Sequence, residues 1–207
     1  MKRIAYVLAI ISFVLLTFDM ILLVKNNDLS IEKMSLCKQL EEFSTKELEL
    51  RESFISQYLV EGDSCPDLTL NTVETSKQVS LSELVGNSKG PLLFFRFKEI
   101  DCEACVQHSL KFLDKVTKDH PELKISILCG YKNVREFYAY ASNRNQAFNI
   151  YNVNDIPISL EEQGKPYFFV LNKELIIRDA FVYFPKKFDL AKDYMNVIVQ
   201  KVGEKSL

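Results

Sequence analysis

The chain has 207 residues, 47% of them apolar, and its 26 basic and 28 acidic side chains give a formal net charge of -2. That length suits one folded domain with additional segments, and the interspersed charges offer no basic face to a nucleic acid. Five cysteines, Cys37, Cys65, Cys102, Cys105 and Cys129, are too few and too unevenly spaced for a small disulfide-stapled scaffold, and their odd number leaves at least one thiol unpaired within a monomer.

Residues 4–24, IAYVLAIISFVLLTFDMILLV, are apolar except for Asp19 and a few hydroxyl side chains. As a helix they reach about 30 Å, one hydrocarbon core. The sequence therefore predicts a membrane-spanning signal anchor over 1–25. The run is long for a signal peptide and leaves through Leu-Leu-Val-Lys-Asn-Asn rather than a small-x-small site, so cleavage is not expected. Lys2 and Arg3 precede the span and only Lys25 follows closely, which puts the N-terminus in the cytoplasm and the rest of the chain outside it. The expected location is the inner (cytoplasmic) membrane, single-pass, with the C-terminal domain in the periplasm or otherwise outside the cytoplasm. Asp19 lies near the exit, where its carboxylate can reach the interface.

From Ser30 to Tyr58 there is no Gly or Pro, and Glu, Lys, Leu and Gln favour a helix. Leu29, Leu36, Phe43 and Leu50 recur every seven residues, with Leu40 and Phe54 on the complementary seam, which Lys33 and Glu47 interrupt. Residues 26–59 are thus a helical stalk or a short coiled coil, and a homodimer through the 30–58 helix stays open. Cys37 lies beside the seam.

At EGDSCPDLTL the composition changes, and its Gly, Asp, Ser and Pro mark the start of a domain over 60–207. Leu68–Leu70 and Gln78–Ser80 suit a short hairpin, and Pro91–Lys98 a buried strand. Val106, Leu110, Leu113 and Val116 give helical spacing to 103–118. Leu123–Cys129 reads as a second apolar strand and Val134–Asn143 as a helix. Tyr167–Leu171 and Leu175–Val182 flank the turn Asn172-Lys173-Glu174, and a helix over Phe188–Val202 closes the chain. Strands alternating with helices predict an α/β layer architecture.

Within it, Cys102 stands where a buried strand hands over to a helix, and Cys105 lies one turn inside that helix. Unsatisfied N–H groups and the helix dipole stabilise an anion there, so a thiol at that place ionises readily and is nucleophilic. The second sulfur can then attack a mixed disulfide on the first. Cys102 is the expected attacking cysteine and Cys105 the resolving one. Structural zinc would need a second Cys or His pair, and only His108 and His120 are available. Copper delivery and an inert core pair are the other readings of the motif.

The ordered set GDSCPDLTL, SLSELVG, GPLLFFRF, Cys-Glu-Ala-Cys and GKPYFFVLNKELII resembles membrane-anchored thioredoxin-like proteins of the TlpA/ResA kind, within the wider redoxin superfamily, over about 60–202. The resemblance implies a thioredoxin fold, a central mixed β-sheet flanked by helices, here preceded by the transmembrane helix and stalk. It implies a protein-disulfide oxidoreductase whose only cofactor is its own Cys102–Cys105 pair, acting on protein substrates with disulfides, in the reducing direction, and recharged by a membrane electron donor. It gives Pro166 the role of a cis-proline facing the cysteines, and gives the backbone of Lys165 a part in holding substrate. Relatives often carry a Glu at the offset of His108, three residues after Cys105, and the imidazole here is the candidate proton acceptor for the resolving thiol.

Two features depart from that pattern. Asp101 replaces the usual Trp before the first cysteine, and the chain has no Trp at all. Carboxylates at Asp101 and Glu103 disfavour a neighbouring thiolate, whereas Lys98 and Lys165 favour it. Cys65 and Cys129 read as small buried hydrophobes. Two rival functions remain: a peroxiredoxin-like peroxidase, although the Pro-x-x-x-Thr-x-x-Cys surround is missing before Cys102, and a non-catalytic tethered binding or assembly module.

Overall fold

The computed structural model describes residues 2–74, 77–88, 90–142, 148–183 and 188–204, with the side chains of 2–10, 14, 49, 53, 56, 188, 189 and 202–204 outside the description. The chain divides into two compact units, Met1–Glu49 and Leu50–Leu207.

The first unit is helical, forming most of α1 (Lys2–Val60). Among the described residues no helix is long and apolar enough to cross a membrane. The side chains of 4–10 and 14, within the predicted span 4–24, lie outside the described residues. Along the predicted heptad, Leu29, Leu36, Leu40 and Phe43 are 64–70% exposed.

The second unit begins with the last turns of α1. Gly62, at φ 90, ends the helix in a backbone conformation that glycine adopts without steric cost. The chain then runs along the last strand of the sheet: Gly62 N–H donates to the Ile177 carbonyl at 2.9 Å, and Cys65 N–H to Leu175 at 2.8 Å.

The elements that follow are β1 (Thr69–Thr72), β2 (Gln78–Ser80), α2 (Leu81–Gly86), β3 (Leu92–Lys98), α3 (Glu103–Asp119), β4 (Lys124–Gly130), α4 (Val134–Ser142), β5 (Asn149–Asn152), a 3-10 helix (Ser159–Gln163), β6 (Tyr167–Leu171), β7 (Ile177–Val182) and α5 (Phe188–Glu204). The strands form one mixed sheet in the order β2-β1-β5-β4-β3-β6-β7. At its centre β3 runs parallel to β4, with Leu93 opposite Ile125 and Phe97 opposite Cys129, and antiparallel to β6, with Phe95 opposite Phe168.

Because side chains alternate across a strand, β3 feeds two cores. Leu93, Phe95 and Phe97 pack with Val106, Leu110 and Leu113 of α3, Phe137 of α4 and Met195 of α5. Leu92 and Phe94 pack on the other face with Val60, Leu81, Val85 and Leu160. Each such buried side chain stabilises the fold by about 1.5–3 kcal/mol.

The predicted hairpin, strands and helices occur within a few residues of their expected ends. Three elements have no counterpart in the sequence reading: α2, β5 and the 3-10 helix. Strand β5 offers only Ile150 and Tyr151 between asparagines, too short a run to stand out, and pairing with β4 and β1 defines it. Its arrival turns the expected β-α-β core into a β-α-β-α-β unit.

Candidate active site

The site is built where β3 ends. Asp101 turns the chain by accepting the Lys98 N–H on Oδ2 at 2.7 Å, and Cys102 caps α3, its sulfur accepting the Cys105 N–H at 3.3 Å. Cys102 and Cys105 are joined as a disulfide, with their Cα atoms 5.2 Å apart. Cys102 is exposed and Cys105 half-buried. A sulfur that receives a helix N-terminal N–H is placed where negative charge is favoured.

At the same end of the sheet, since Arg96 near the end of β3 pairs antiparallel with Tyr167 at the start of β6, lies the loop Gly164-Lys165-Pro166 that enters β6. Gly164, at φ 60, supplies the left-handed turn. No cis peptide bond occurs among the described residues, so Pro166 is trans, a correction to the cis-proline that the resemblance implied. Trans is the lower-energy form of an X-Pro bond by about 0.5–1 kcal/mol, and Gly164 makes the bend without the cis form. Pro166 is buried and its carbonyl accepts the Tyr183 N–H at 2.9 Å. The Lys165 ammonium pairs with Glu52, near the end of α1, at 2.8 Å.

His108 projects from α3 one turn past Cys105, and its Nδ1 is hydrogen-bonded to the hydroxyl of Tyr183. Tyr183 is 1% exposed, burial pushes its phenol above the ordinary range, and its ring meets Phe168 edge-on. The neighbouring Ser109, fully buried, donates its hydroxyl to the Cys105 carbonyl at 2.9 Å.

On the opposite face lies a charged cluster that the sequence reading missed. Arg96 is fully buried; its Nε donates to Glu161 Oε1 at 2.7 Å, Nη1 to the Val153 carbonyl at 2.8 Å and Nη2 to the Asn154 carbonyl at 2.7 Å. Glu161, on the 3-10 helix, also receives the Lys98 ammonium and the Tyr167 hydroxyl, the latter at 2.9 Å. The guanidinium crosses β4 above Gly130, where a Cβ would stand 2.8 Å from Nη2. Asp101 lies within the field of Arg96, Glu161 and Lys98, and burial raises its carboxyl above the ordinary value. Lys98 and Lys165, expected to favour the thiolate, therefore both have carboxylate partners. A signal for the cluster was present: in FFRFK, Arg96 and Lys98 share a face of a strand buried on both sides, and a buried cation requires a carboxylate.

Cys65 and Cys129 are buried cysteines in different cores, outside the disulfide, and burial, with Asp67, pushes the Cys65 thiol up to about 11. Cys37 is an exposed free thiol on α1.

Strand order, helix placement and a disulfide at the start of the helix after the central strand match a thioredoxin-like fold. Among solved structures, the chain is similar to a candidate thiol:disulfide interchange protein DsbE from Chlorobium tepidum, with TM-score 0.51 and 14% identity over 68% of this chain and 99% of that one. The thioredoxin domain of a thiol-disulfide oxidoreductase from Bacteroides vulgatus aligns with TM-score 0.49 and 15% identity over 70% of this chain and 99% of that one. A secreted disulfide oxidoreductase of Mycobacterium tuberculosis aligns with TM-score 0.43 and 14% identity, covering 63% and 96%. No protein-family model and no curated protein matches the chain.

Proposed function

We propose that this protein is a membrane-tethered, extracytoplasmic thiol-disulfide oxidoreductase that reduces disulfides of protein substrates. The observation that carries the reading is the Cys102–Cys105 disulfide on the first turn of α3, its more exposed sulfur receiving a helix N–H.

In the reduced chain the Cys102 thiolate attacks one sulfur of a substrate disulfide. The substrate S–S bond breaks, a Cys102–substrate disulfide forms, and the other substrate sulfur leaves as a thiolate that takes a proton from water. The Cys105 thiol then gives up its proton and attacks Cys102 Sγ, closing the internal disulfide and expelling the second substrate thiolate, which is protonated in turn. Two electrons pass from the protein dithiol to the substrate. A dithiol electron donor in the membrane restores the reduced pair, and no cofactor beyond the cysteines takes part. Lys165 and Pro166, on the loop that enters β6, hold the extended substrate segment, and His108 takes the Cys105 proton.

The tether is the apolar run 4–24, which places 60–207 outside the cytoplasm by the charge bias of its flanks. The exposed heptad side chains of α1 pair two copies of the chain through 30–58.

The test is to express the full chain as Cys105→Ser in intact membranes and identify trapped complexes by mass spectrometry. Mixed disulfides at Cys102 with extracytoplasmic proteins are expected. Complexes with cytoplasmic proteins alone would overturn the location, and the absence of any Cys102 adduct would overturn the chemistry.

A further inference from the structure

The turn that delivers β3 to Cys102 presents an apolar side chain that neither the fold nor the exchange chemistry above uses. Outside α1, the exposed large apolar side chains among the described residues are Ile100 at 85%, Val197 at 47% and Val134 at 40%. Val134 and Val197 sit on α4 and α5, whose other faces join the core; Ile100 stands on a turn and is nearly uncovered. Single exposed apolar residues are common on protein surfaces. This one is set apart by its place and by the bonds that keep it there.

Asp101 N–H donates to the Lys98 carbonyl at 3.0 Å, Lys98 N–H to Asp101 Oδ2 at 2.7 Å, and Glu99 N–H to the Gly130 carbonyl at 3.3 Å. Both ends of Lys98-Glu99-Ile100-Asp101 are thereby fixed, Asp101 is half-buried, and Ile100 is held outside. Two backbone steps put the Ile100 Cα within about 7.6 Å of the Cys102 Cα. A mixed disulfide on Cys102 brings the substrate cysteine's Cα to about 5.5–6 Å from that of Cys102, and the residues flanking that cysteine stand one step of about 3.8 Å further. A flanking side chain of the substrate is then within reach of Ile100. Glu99 and Glu103 are exposed on either side of the Ile100–Cys102 stretch, and the cation next to them, Lys98, is already engaged by Glu161 and Asp155.

We propose that Ile100 is a substrate-contact residue that seats an apolar side chain next to the substrate's reacting cysteine, and that Glu99 and Glu103 select segments carrying Lys or Arg, rather than Asp or Glu, beside it. This deepens the exchange reading, names the class of disulfide it takes, and rests on it. Burying Ile100 against the substrate removes apolar surface from water only in the complex, so the contact favours capture of that segment and adds nothing to folding. The carboxylates act over a longer range and repel an acidic segment before contact is made. Both effects act on capture at Cys102 and leave the bond changes of the exchange as they are.

The experiment follows oxidation of the reduced full chain in detergent, with the exposed Cys37 replaced by Ser, by acid quench and mass spectrometry. The oxidants are symmetric disulfides of capped peptides containing Leu-Cys-Lys, Ser-Cys-Lys or Leu-Cys-Glu, and bis(2-hydroxyethyl) disulfide, which has no side chains. Comparing parent and variant on the same peptide cancels that peptide's own reactivity. Ile100→Ser should slow the Leu-Cys-Lys peptide by about fivefold. The Ser-Cys-Lys peptide and the small disulfide should keep their rates, and Ile100→Leu should retain the parent's selectivity. Glu99→Gln combined with Glu103→Gln should lower the ratio of Leu-Cys-Lys to Leu-Cys-Glu rates by about threefold at low salt, and the difference should vanish at high salt. Equal slowing of all four oxidants by Ile100→Ser, or no slowing of the Leu-Cys-Lys peptide, would overturn the contact. A rate ratio that the double Gln variant leaves unchanged would overturn the charge selection. Reaction with the small disulfide but no discrimination among peptides sinks this assignment alone, whereas a reduced chain that reacts with none of the four sinks the exchange reading with it.

Discussion

The two flanks of the Cys102–Cys105 turn are built from opposite kinds of polar group. On one face of the sheet, Arg96, Lys98 and Glu161 are locked into ion pairs and carbonyl hydrogen bonds, and their field acts on Asp101, the residue before Cys102. On the other, His108 is hydrogen-bonded to the Tyr183 hydroxyl, and Ser109 donates to the resolving cysteine's own carbonyl. Removing a charge from the first flank strands its partner in a low-dielectric interior, so that flank is built for stability. The difference sets a buried ion-pair network on one side and the proposed proton acceptor, His108, on the other.

The comparison is broken most directly at Glu161. Glu161→Leu leaves Arg96 buried without its carboxylate and should cost about 3–5 kcal/mol of folding stability, read by denaturant melts. A loss below 1 kcal/mol would show that the cluster is not a structural lock. Gly130→Ala attacks the same flank from the backbone: a Cβ at 2.8 Å from the Arg96 guanidinium displaces the head group or the strand, and a loss of about 1–3 kcal/mol is expected.

On the other flank, His108→Gln should leave stability nearly unchanged and slow resolution of a mixed disulfide on Cys102 by about one to two orders of magnitude, with its formation unaffected. Stopped-flow kinetics of the two steps checks this, and equal slowing of both would remove His108 from proton transfer.

The smallest effect belongs to Asp101, which precedes Cys102 and lies in the field of the charged flank. Burial raises its carboxyl, so the folded chain holds that proton more tightly than the unfolded chain does. Its contribution is therefore most favourable below the ordinary carboxyl range of about 4 and is lost as pH rises through the raised folded value. Asp101→Asn keeps an oxygen acceptor for the Lys98 N–H and lacks that loss. Melts at about pH 4 and pH 7 should show the variant gaining on the parent at the higher pH.

What was legible in the sequence follows the same division. The β3-α3-β4 unit, the β6-β7 hairpin and the cysteine pair are announced by local periodicity and spacing, and the site's disulfide follows from where the strand ends. The charged cluster was hidden because Arg96 finds its carboxylate 65 residues away, on a 3-10 turn with no apolar period of its own. Tyr183 was hidden for a related reason: its hydroxyl meets α3 across 75 residues, and in AFVYF it reads as one more strand aromatic. The trans Pro166 was misjudged because the resemblance carried the cis form, whereas the neighbouring Gly164 makes the turn here.

The most direct test of the central claim is a redox titration of the full chain with Cys37, Cys65 and Cys129 replaced by Ser, equilibrated against glutathione and quenched by alkylation. One two-electron couple should appear, with both Cys102 and Cys105 alkylated in the reduced form and neither in the oxidised form. In a Cys105→Ser version Cys102 should be captured as a glutathione adduct. A chain whose Cys102–Cys105 pair stays fully oxidised or fully reduced across the glutathione range, with no adduct at Cys102, would contradict the exchange of disulfides at this site.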